Sequence, residues 1–266
     1  MKKTALVTFG CSWTYGIGVW YEPGMSYDEL KTDWHKRKDG DEFSFRALLS
    51  KKYGLHNINL SEGGASNQKQ FRAVKEFFAG NSIQQLFDQY ENIIVLHGIT
   101  STARNEMFVN ELNEIRNFMY TEDTTWAKTM VKFFYNHDYE VDCLNKEMNF
   151  FDTFYSLAGI KNLWFDTFNH HNYSQTSNNL IGKNDSKRDL LSKMALISGL
   201  EEPDDQYHTS HFIKDTNRIE ILVNTGHLNP YTYHPTKKGH QLIANILDQH
   251  IRLQIFLNQH TKGNLT

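Results

Sequence analysis

Short apolar runs alternate with amphipathic segments along this chain, and the alternation predicts a parallel sheet covered by helices. Four runs have the length and the β-branched or aromatic content of buried strands: residues 4–9, 56–61, 92–98 and 161–168. The segments between them leave room for a helix, as the crossover between two parallel strands requires. We therefore predict an α/β fold with helices on both faces of the sheet.

Two long segments interrupt the strand pattern. Residues 101–158 have mostly helical periodicity, and their aromatic stripe fits either the core or a homo-oligomer face. Residues 170–233 are polar and irregular, with one helix predicted around 187–198. Because the chain has no internal repeat, low-complexity tract or linker-like stretch, we predict one domain over residues 1–266, with both segments as insertions at the rim of the sheet.

The composition excludes several classes of protein. A net charge of -3 leaves no basic surplus for nucleic acid, and two cysteines, Cys11 and Cys143, are too few for a disulfide framework. The apolar run at the N-terminus is too short for an export signal, and no run approaches the ~18 apolar residues of a membrane span. We expect a cytoplasmic protein with neither a membrane nor a nucleic-acid partner.

Neither a metal nor another cofactor is expected. Two pairs of histidines, His170 with His171 and His208 with His211, have no acidic or cysteine ligand at a recognisable spacing. The glycines after the first strand do not form a dinucleotide-binding fingerprint, and they are not followed by the lysine of a phosphate loop.

The residues that can carry chemistry follow the predicted strands. In chain order they are Ser12, Gly64, Thr100 and Asp166, with His234 just before the final helix. In an open parallel sheet, ligands bind outside the carboxyl ends of the strands, so we expect these groups to meet in one crevice. A serine hydroxyl becomes nucleophilic when a histidine takes its proton, and backbone amides beside glycines can hold the oxyanion that forms. The pattern predicts acyl-transfer chemistry at this edge of the sheet.

Three of these stretches resemble the sequence blocks of the SGNH, or GDSL-type, hydrolase family: GCSWTYG (10–16), NLSEGGASN (59–67) and YHPTKKGH (233–240). The resemblance implies a three-layer α/β/α sandwich with a flavodoxin-like parallel sheet, and ester hydrolysis or acyl transfer. It implies that Ser12 is the nucleophile and His234 the base. The amides of Ser12 and Gly64 would then belong to the oxyanion hole.

Two positions differ from the family pattern. Thr100 stands where the third block of the family has an asparagine, so its hydroxyl would have to be the third oxyanion donor. Tyr231 stands three residues before His234, where the family has an aspartate. Either a backbone carbonyl supports a Ser–His dyad, or another carboxylate takes that place; the candidates are Asp166, Asp204, Asp205 and Asp215.

Three further residues are candidates for binding the substrate. Trp13 belongs to a group of aromatic residues near Ser12 that can either stack on a sugar or pack in the core. Asn67 either contacts the substrate or caps its helix. Arg104 either binds a carboxylate or phosphate of the substrate or belongs, together with Glu106, to a solvated helix face.

The sequence thus leads to one main hypothesis and two alternatives. The main hypothesis is a serine esterase that acts through an acyl-enzyme on a short acyl group of a larger alcohol, such as an O-acetylated carbohydrate. An O-acyltransferase would use the same Ser–His pair with a sugar hydroxyl in place of water. A catalytically impaired carbohydrate-binding protein of the same fold is the other alternative, because Thr100 and Tyr231 replace two working groups.

Overall fold

The computed structural model describes residues 3–30, 39–80, 83–102, 104–109, 114–119, 125, 135–168, 177–183, 189–200 and 216–261. It contains these strands: β1 (Lys3–Phe9), β2 (His56–Asn59), β3 (Tyr90–Ile99), β4 (Arg104–Val109), β5 (Glu114–Met119) and β6 (Lys161–Asp166). It contains these α-helices: α1 (Ser12–Tyr15), α2 (Phe45–Tyr53), α3 (Asn67–Gly80), α4 (Ile83–Gln89), α5 (His137–Leu157), α6 (Leu190–Ile197), α7 (Thr216–Asn224) and α8 (Lys237–Thr261).

The four predicted strands form one parallel sheet in the order β2-β1-β3-β6. Counted among the parallel strands alone, this order is 2-1-3-4, as in the flavodoxin-like arrangement. The chain runs from β1 to β2 on one side and then returns past β1 to β3 on its other side, so the switch point lies between β1 and β3. The predicted fold class is therefore confirmed, and the switch point is where a ligand crevice is expected.

The sheet is buried on both faces, which gives the fold its three layers. Successive side chains of a strand point to opposite faces, so Leu6 and Val7 enter different hydrophobic clusters. Helices α2, α6, α7 and α8 pack on the face of Leu6, and α3, α4 and α5 pack on the face of Val7. Within the described ranges, none of these helices has both the length and the apolar content needed to cross a lipid bilayer.

The prediction that residues 101–158 are mostly helical is wrong for their first part. Strands β4 and β5 pair there as an antiparallel two-stranded sheet, with Arg104 opposite Met119 and Phe108 opposite Ile115. The valine, isoleucine and phenylalanine residues of these two segments suit strands. Their spacing in the sequence nevertheless resembles that of a helix over short stretches, which led to the wrong prediction. Arg104 therefore does not lie on a helix face. The helical prediction is confirmed for α5.

Local capping sets the start of α2. Residues Asp39–Phe43 form a short 3₁₀ helix, and Ser44 then caps α2, with its side chain accepting a hydrogen bond from the amide of Ala47. Helix α7 was not predicted, because it lies in a polar segment. In the aromatic stripe of α5, Phe151 and Tyr155 are buried in the core, whereas Phe150 is exposed.

Candidate active site

The chain turns sharply at the carboxyl end of β1 and places Ser12 at the first position of α1. Two glycines make this turn possible. A Cβ atom on Gly10 would lie 2.1 Å from Thr14 Oγ1, and one on Gly98 would lie 2.5 Å from the same atom. Thr14 is fully buried between the ends of β1 and β3, so only glycine at both positions admits its side chain. Ser12 is thereby fixed at the switch point of the sheet.

A buried arginine holds the other end of α1. The guanidinium of Arg46, which is fully buried, donates to the carbonyls of Thr14 and Tyr15 at 3.0 Å each and forms an ion pair with Asp41. These carbonyls have no partner within such a short helix, so the cation supplies the bonds that they lack. Burial lowers the pKa of Arg46 to about 10, which leaves it protonated at neutral pH.

The turn after β2 presents the second element of the site. The amide of Ala65 donates to the carbonyl of Glu62 at 3.2 Å, and Gly64 has a φ of 75°, which favours glycine in the third position of such a turn. The amide of Glu62 donates to the carbonyl of Gly10 at 3.1 Å, which ties this turn to the end of β1. A Cβ on Gly64 would meet nothing within 4 Å, so its backbone faces open space.

The loop that carries His234 is organised by Asn229. The side-chain oxygen of Asn229 accepts from the amides of Tyr231 at 3.2 Å and Thr232 at 2.8 Å. Its side-chain nitrogen donates to the carbonyl of His234 at 3.0 Å. Tyr233, directly before His234, has a φ of 55°, which is uncommon for a residue with a large side chain and is enriched at functional sites.

These three segments meet at one cleft of about 480 Å³. It is lined by Ser12, Tyr15, Ile17, Glu62, Gly63, Gly64, Arg104 and His234. The segment after Ser12 rests directly on the histidine loop: a Cβ on Gly18 would lie 2.8 Å from the Cβ of His234 and 2.5 Å from the carbonyl oxygen of Pro235. Residues more than two hundred positions apart in sequence therefore face the same space.

His234 is neutral at pH 7. Its pKa is lowered to about 4, chiefly by burial and in addition by the positive charge of Arg104, while a hydrogen bond with the backbone of Thr232 acts in the opposite direction. A neutral imidazole can accept a proton from a serine hydroxyl.

The predicted substitutes for the family's aspartate do not supply a carboxylate in the described part of the site. The hydroxyl of Tyr231 donates to the carbonyl of Met25 at 2.9 Å. Asp166 is fully buried at the end of β6 and does not line the cleft. The other three candidates, Asp204, Asp205 and Asp215, lie outside the described residues.

Three other predicted residues serve the architecture rather than the cleft. Trp13 is buried, with its ring 4.9 Å from that of Phe168, so it does not face a substrate. Thr100 is fully buried and is not among the residues that line the cleft, so its hydroxyl is not presented to an oxyanion there. Its backbone is held on both sides by Asn67, which donates to the Thr100 carbonyl and accepts from the Thr100 amide at 2.9 Å each.

The side chain of Asn67 is therefore occupied by the backbone and is not open to substrate, although Asn67 borders a neighbouring groove. It does not cap its helix either, because the hydroxyl of Ser66 accepts from the amide of Lys69 at 3.1 Å and fills that role. Of the predicted binding residues, Arg104 is the one that reaches the cleft.

Sequence reasoning missed the two residues that hold the site together, Arg46 and Asn229. An arginine in an amphipathic helix reads as a surface residue, so nothing in the local pattern marks Arg46. Asn229 precedes Pro230, and this dipeptide is a turn signal that points to a structured loop before His234. In the described part of the chain, no group of three or more histidine, cysteine, aspartate or glutamate side chains is placed to hold a metal ion.

No protein-family model and no curated protein matches this sequence. Solved structures do resemble it. One is assigned to the G-D-S-L lipolytic family, from Desulfitobacterium hafniense DCB-2, with a TM-score of 0.41 and 12% identity over 92% of this chain and 98% of that chain. An acetyl xylan esterase from the rumen bacterium Butyrivibrio proteoclasticus has a TM-score of 0.44 and 11% identity over 95% of this chain and 64% of that chain.

A third similar structure is a carbohydrate esterase whose active site displays divergent catalytic and non-catalytic binding functions; it has a TM-score of 0.40 and 12% identity over 95% of this chain and 69% of that chain. Likenesses with TM-scores no higher than 0.44 carry no argument about chemistry. The fold is established by the sheet order and the two helical layers described above, and any function must be argued from the cleft itself.

Proposed function

We propose that the protein is a serine-dependent ester hydrolase of SGNH type. The observation that supports this most directly is the shared cleft, where Ser12, the Gly64 turn and His234 come together at the switch point of a parallel sheet. A nucleophile, a neutral base and backbone amides near a glycine turn are the groups that acyl transfer needs.

In the proposed reaction, the hydroxyl of Ser12 attacks the ester carbonyl while His234 takes its proton. The tetrahedral oxyanion is held by the amides of Ser12 and Gly64. Collapse of this intermediate breaks the ester C–O bond, and His234 returns the proton to the leaving alcohol. Water then attacks the acyl-enzyme by the same route, releasing the acid and restoring Ser12.

The proposed substrate is a short acyl group on a larger alcohol, such as an O-acetylated carbohydrate. The cleft supports this choice because it is bordered by Tyr15, whose side chain is exposed and suited to stacking on a sugar ring. A sugar hydroxyl in place of water would turn the same residues into an O-acyltransferase.

A second candidate function, carbohydrate binding without turnover, is favoured by one specific observation. Thr100 is buried away from the cleft, so the third oxyanion donor of the family pattern has no equivalent at that position. Losing one such donor typically costs a rate factor of about 10²–10³, which is a severe handicap but still leaves measurable turnover.

A fluorophosphonate probe that reacts covalently with activated serines tests the proposal. Labelling is expected in the wild-type protein and is expected to disappear in Ser12→Ala and in His234→Ala. Ser61→Ala is the matched control, since Ser61 also follows a parallel strand but does not line the cleft, and it should keep the labelling. The binding protein would be supported instead if the well-folded wild type is not labelled. In that case the wild type and Ser12→Ala should bind an acetylated oligosaccharide equally well.

A further inference from the structure

Arg104 stands at the junction of two cavities. One is the Ser12–His234 cleft, and the other is a larger groove of about 580 Å³ between α3, β4 and α5. Residues bordering this second groove include Phe71, Arg72, Thr102, Glu106, Leu144 and Glu147. Because Arg104 lines both spaces, any ligand that runs from the cleft into the groove must pass its guanidinium group.

The carboxylates around Arg104 are already paired with other cations. Glu106, two residues along the same strand, pairs with Arg72 at 2.7 Å. Glu62, in the cleft, forms an ion pair with Lys69.

The two remaining carboxylates of the groove lie on α5. Glu147 is 3.7 Å from Lys75. Glu140 acts on the neighbouring Tyr135, whose pKa it raises in addition to the larger effect of burial. Three of the four carboxylates that border the two cavities in the described part of the chain, Glu62, Glu106 and Glu147, are thus paired with cations other than Arg104.

Arg104 itself has no ion pair with any described residue, and its Nη1 atom is buried without a hydrogen-bond partner among them. Its guanidinium lies 5.9 Å from the ring centre of Phe168, which steadies it without neutralising it. A guanidinium stays charged in proteins and offers a planar fork of donors that suits a carboxylate or a phosphate. The guanidinium of Arg104 is therefore best stabilised by an anionic group of a bound ligand.

We propose that Arg104 binds an anionic group of the substrate, so that the protein acts on esters that carry a carboxylate or a phosphate near the acyl group. This inference rests on the proposed esterase function and specifies its substrate class. The ester carbonyl lies at Ser12, the negative charge lies at Arg104, and the remainder of a larger substrate extends into the groove beyond it.

The same contact affects the base. The positive charge of Arg104 lowers the pKa of His234, so an anion bound to the guanidinium offsets that effect and makes the imidazole a stronger base once the substrate is in place. A neutral ester lacks this benefit. Preference for a charged substrate is therefore expected in the chemical step as well as in binding.

The test compares two esters that differ by one charge, 4-acetoxybenzoate and its neutral methyl ester. The wild-type protein should hydrolyse the anion with a kcat/KM higher by roughly 10- to 100-fold, the range expected for a charge-assisted hydrogen bond. Arg104→Gln should remove this preference, and Arg104→Lys should keep part of it. Arg252→Gln, which removes an equal charge from an exposed position on α8, should leave the preference intact.

Binding measurements separate this inference from the esterase proposal. Calorimetry with Ser12→Ala should show that 4-hydroxybenzoate and phenyl phosphate bind, and that adding Arg104→Gln weakens at least one of them by roughly tenfold or more. The dissociation constants of the two ligands are then compared, and the tighter ligand shows whether the natural group is a carboxylate or a phosphate.

Several results would overturn the inference. Equal rates on the charged and neutral esters would do so while leaving the esterase standing. An equal loss on both esters in Arg104→Gln would assign Arg104 to the oxyanion instead. If the serine is not labelled at all, the esterase proposal fails, and the calorimetric comparison still decides whether Arg104 is an anion site.

Discussion

Two histidines of this protein, His97 and His234, have similarly lowered pKa values and different surroundings. Burial lowers the pKa of His97 to about 3 and that of His234 to about 4. The ring of His97 lies in the middle of the sheet, 4.0 Å from the ring of Trp164 and 5.1 Å from that of Phe9, with its Nε2 atom 2.9 Å from the hydroxyl of Tyr155. His234 instead lies on a loop that lines a cleft.

The comparison shows that a depressed pKa does not by itself indicate a functional histidine. Any imidazole that is removed from water prefers to be neutral, wherever it lies in the fold. His234 differs because a serine and an uncompensated arginine share its cleft, and because the residue before it has an unusual backbone conformation. His97 is fully buried and has no access to ligand, whereas His234 is partly exposed and lines the cleft.

The largest expected difference between the two histidines is in catalysis. His234→Ala should reduce kcat on a neutral aryl acetate by about 10⁴-fold or more, as removal of a base from a serine hydrolase does. His97→Phe should leave kcat unchanged, because its ring is sealed in the core. Steady-state kinetics on the two variants measures this directly. A comparable loss in both would mean that His234 acts through the fold and not as a base.

A smaller effect is expected from the residue that positions His234. Asn229→Ala removes the acceptor of two amides and the donor to the His234 carbonyl, so the loop should shift and kcat should fall by about 10²-fold with little change in KM.

Asn229→Asp is the matched variant, because it keeps the acceptor and loses the donor; an intermediate kcat is expected. If both variants lose thermal stability in parallel with activity, and KM rises as much as kcat falls, then Asn229 supports the fold generally rather than the geometry of the base.

The sheet and the approximate location of the site were predictable because both depend on local sequence. Buried parallel strands are short apolar runs, and the carboxyl end of each strand is where the run stops. Ser12, Gly64 and His234 could be assigned to one edge of the sheet without knowing any distance between them. Their arrival in one cleft follows from the topology.

The details that failed depend on contacts between residues far apart in sequence. Thr100 is buried, and its backbone is hydrogen-bonded to the side chain of Asn67, a contact that no local pattern reveals. Arg46 is buried because two carbonyls of α1 need donors. The β4–β5 pair depends on backbone pairing between two segments, whereas sequence periodicity measures one segment at a time.

The lowered pKa of His234 should also be visible in the pH dependence of activity. The base must be neutral, so kcat/KM should rise with pH through about 4 and then level off, instead of rising through the usual histidine range near 6.5. The charged and titratable groups that face His234 are Arg104, Glu62 in the cleft and the buried His240, whose pKa burial lowers to about 3.

Removing the positive charge of Arg104 should therefore shift the acidic limb of the kcat/KM profile in one direction. Arg104→Gln is expected to shift it to higher pH, though not fully to 6.5, because burial is the larger cause of the depression. A limb that stays in place in this variant would show that Arg104 is neutralised before substrate arrives. The profile is measured on a neutral ester, so that the substrate brings no charge of its own.

The smallest effect on activity, and a clear one on stability, is expected from His97. The unfolded chain takes up a proton on this residue below a pKa of about 6.5, whereas the folded protein resists protonation until about pH 3. The unfolded state therefore binds more protons in this window, and folding stability is lost as the pH falls through it.

His97→Phe removes one such proton, so the slope of unfolding free energy against pH should decrease by up to about 1.4 kcal/mol per pH unit. Urea unfolding between pH 4 and 7 measures the slope, which is independent of any constant loss from leaving the Tyr155 hydroxyl without its partner. An unchanged slope would mean that protonation of His97 does not contribute to acid unfolding, and that His234 and His240, the other two histidines with strongly lowered pKa values in the described part of the chain, account for it.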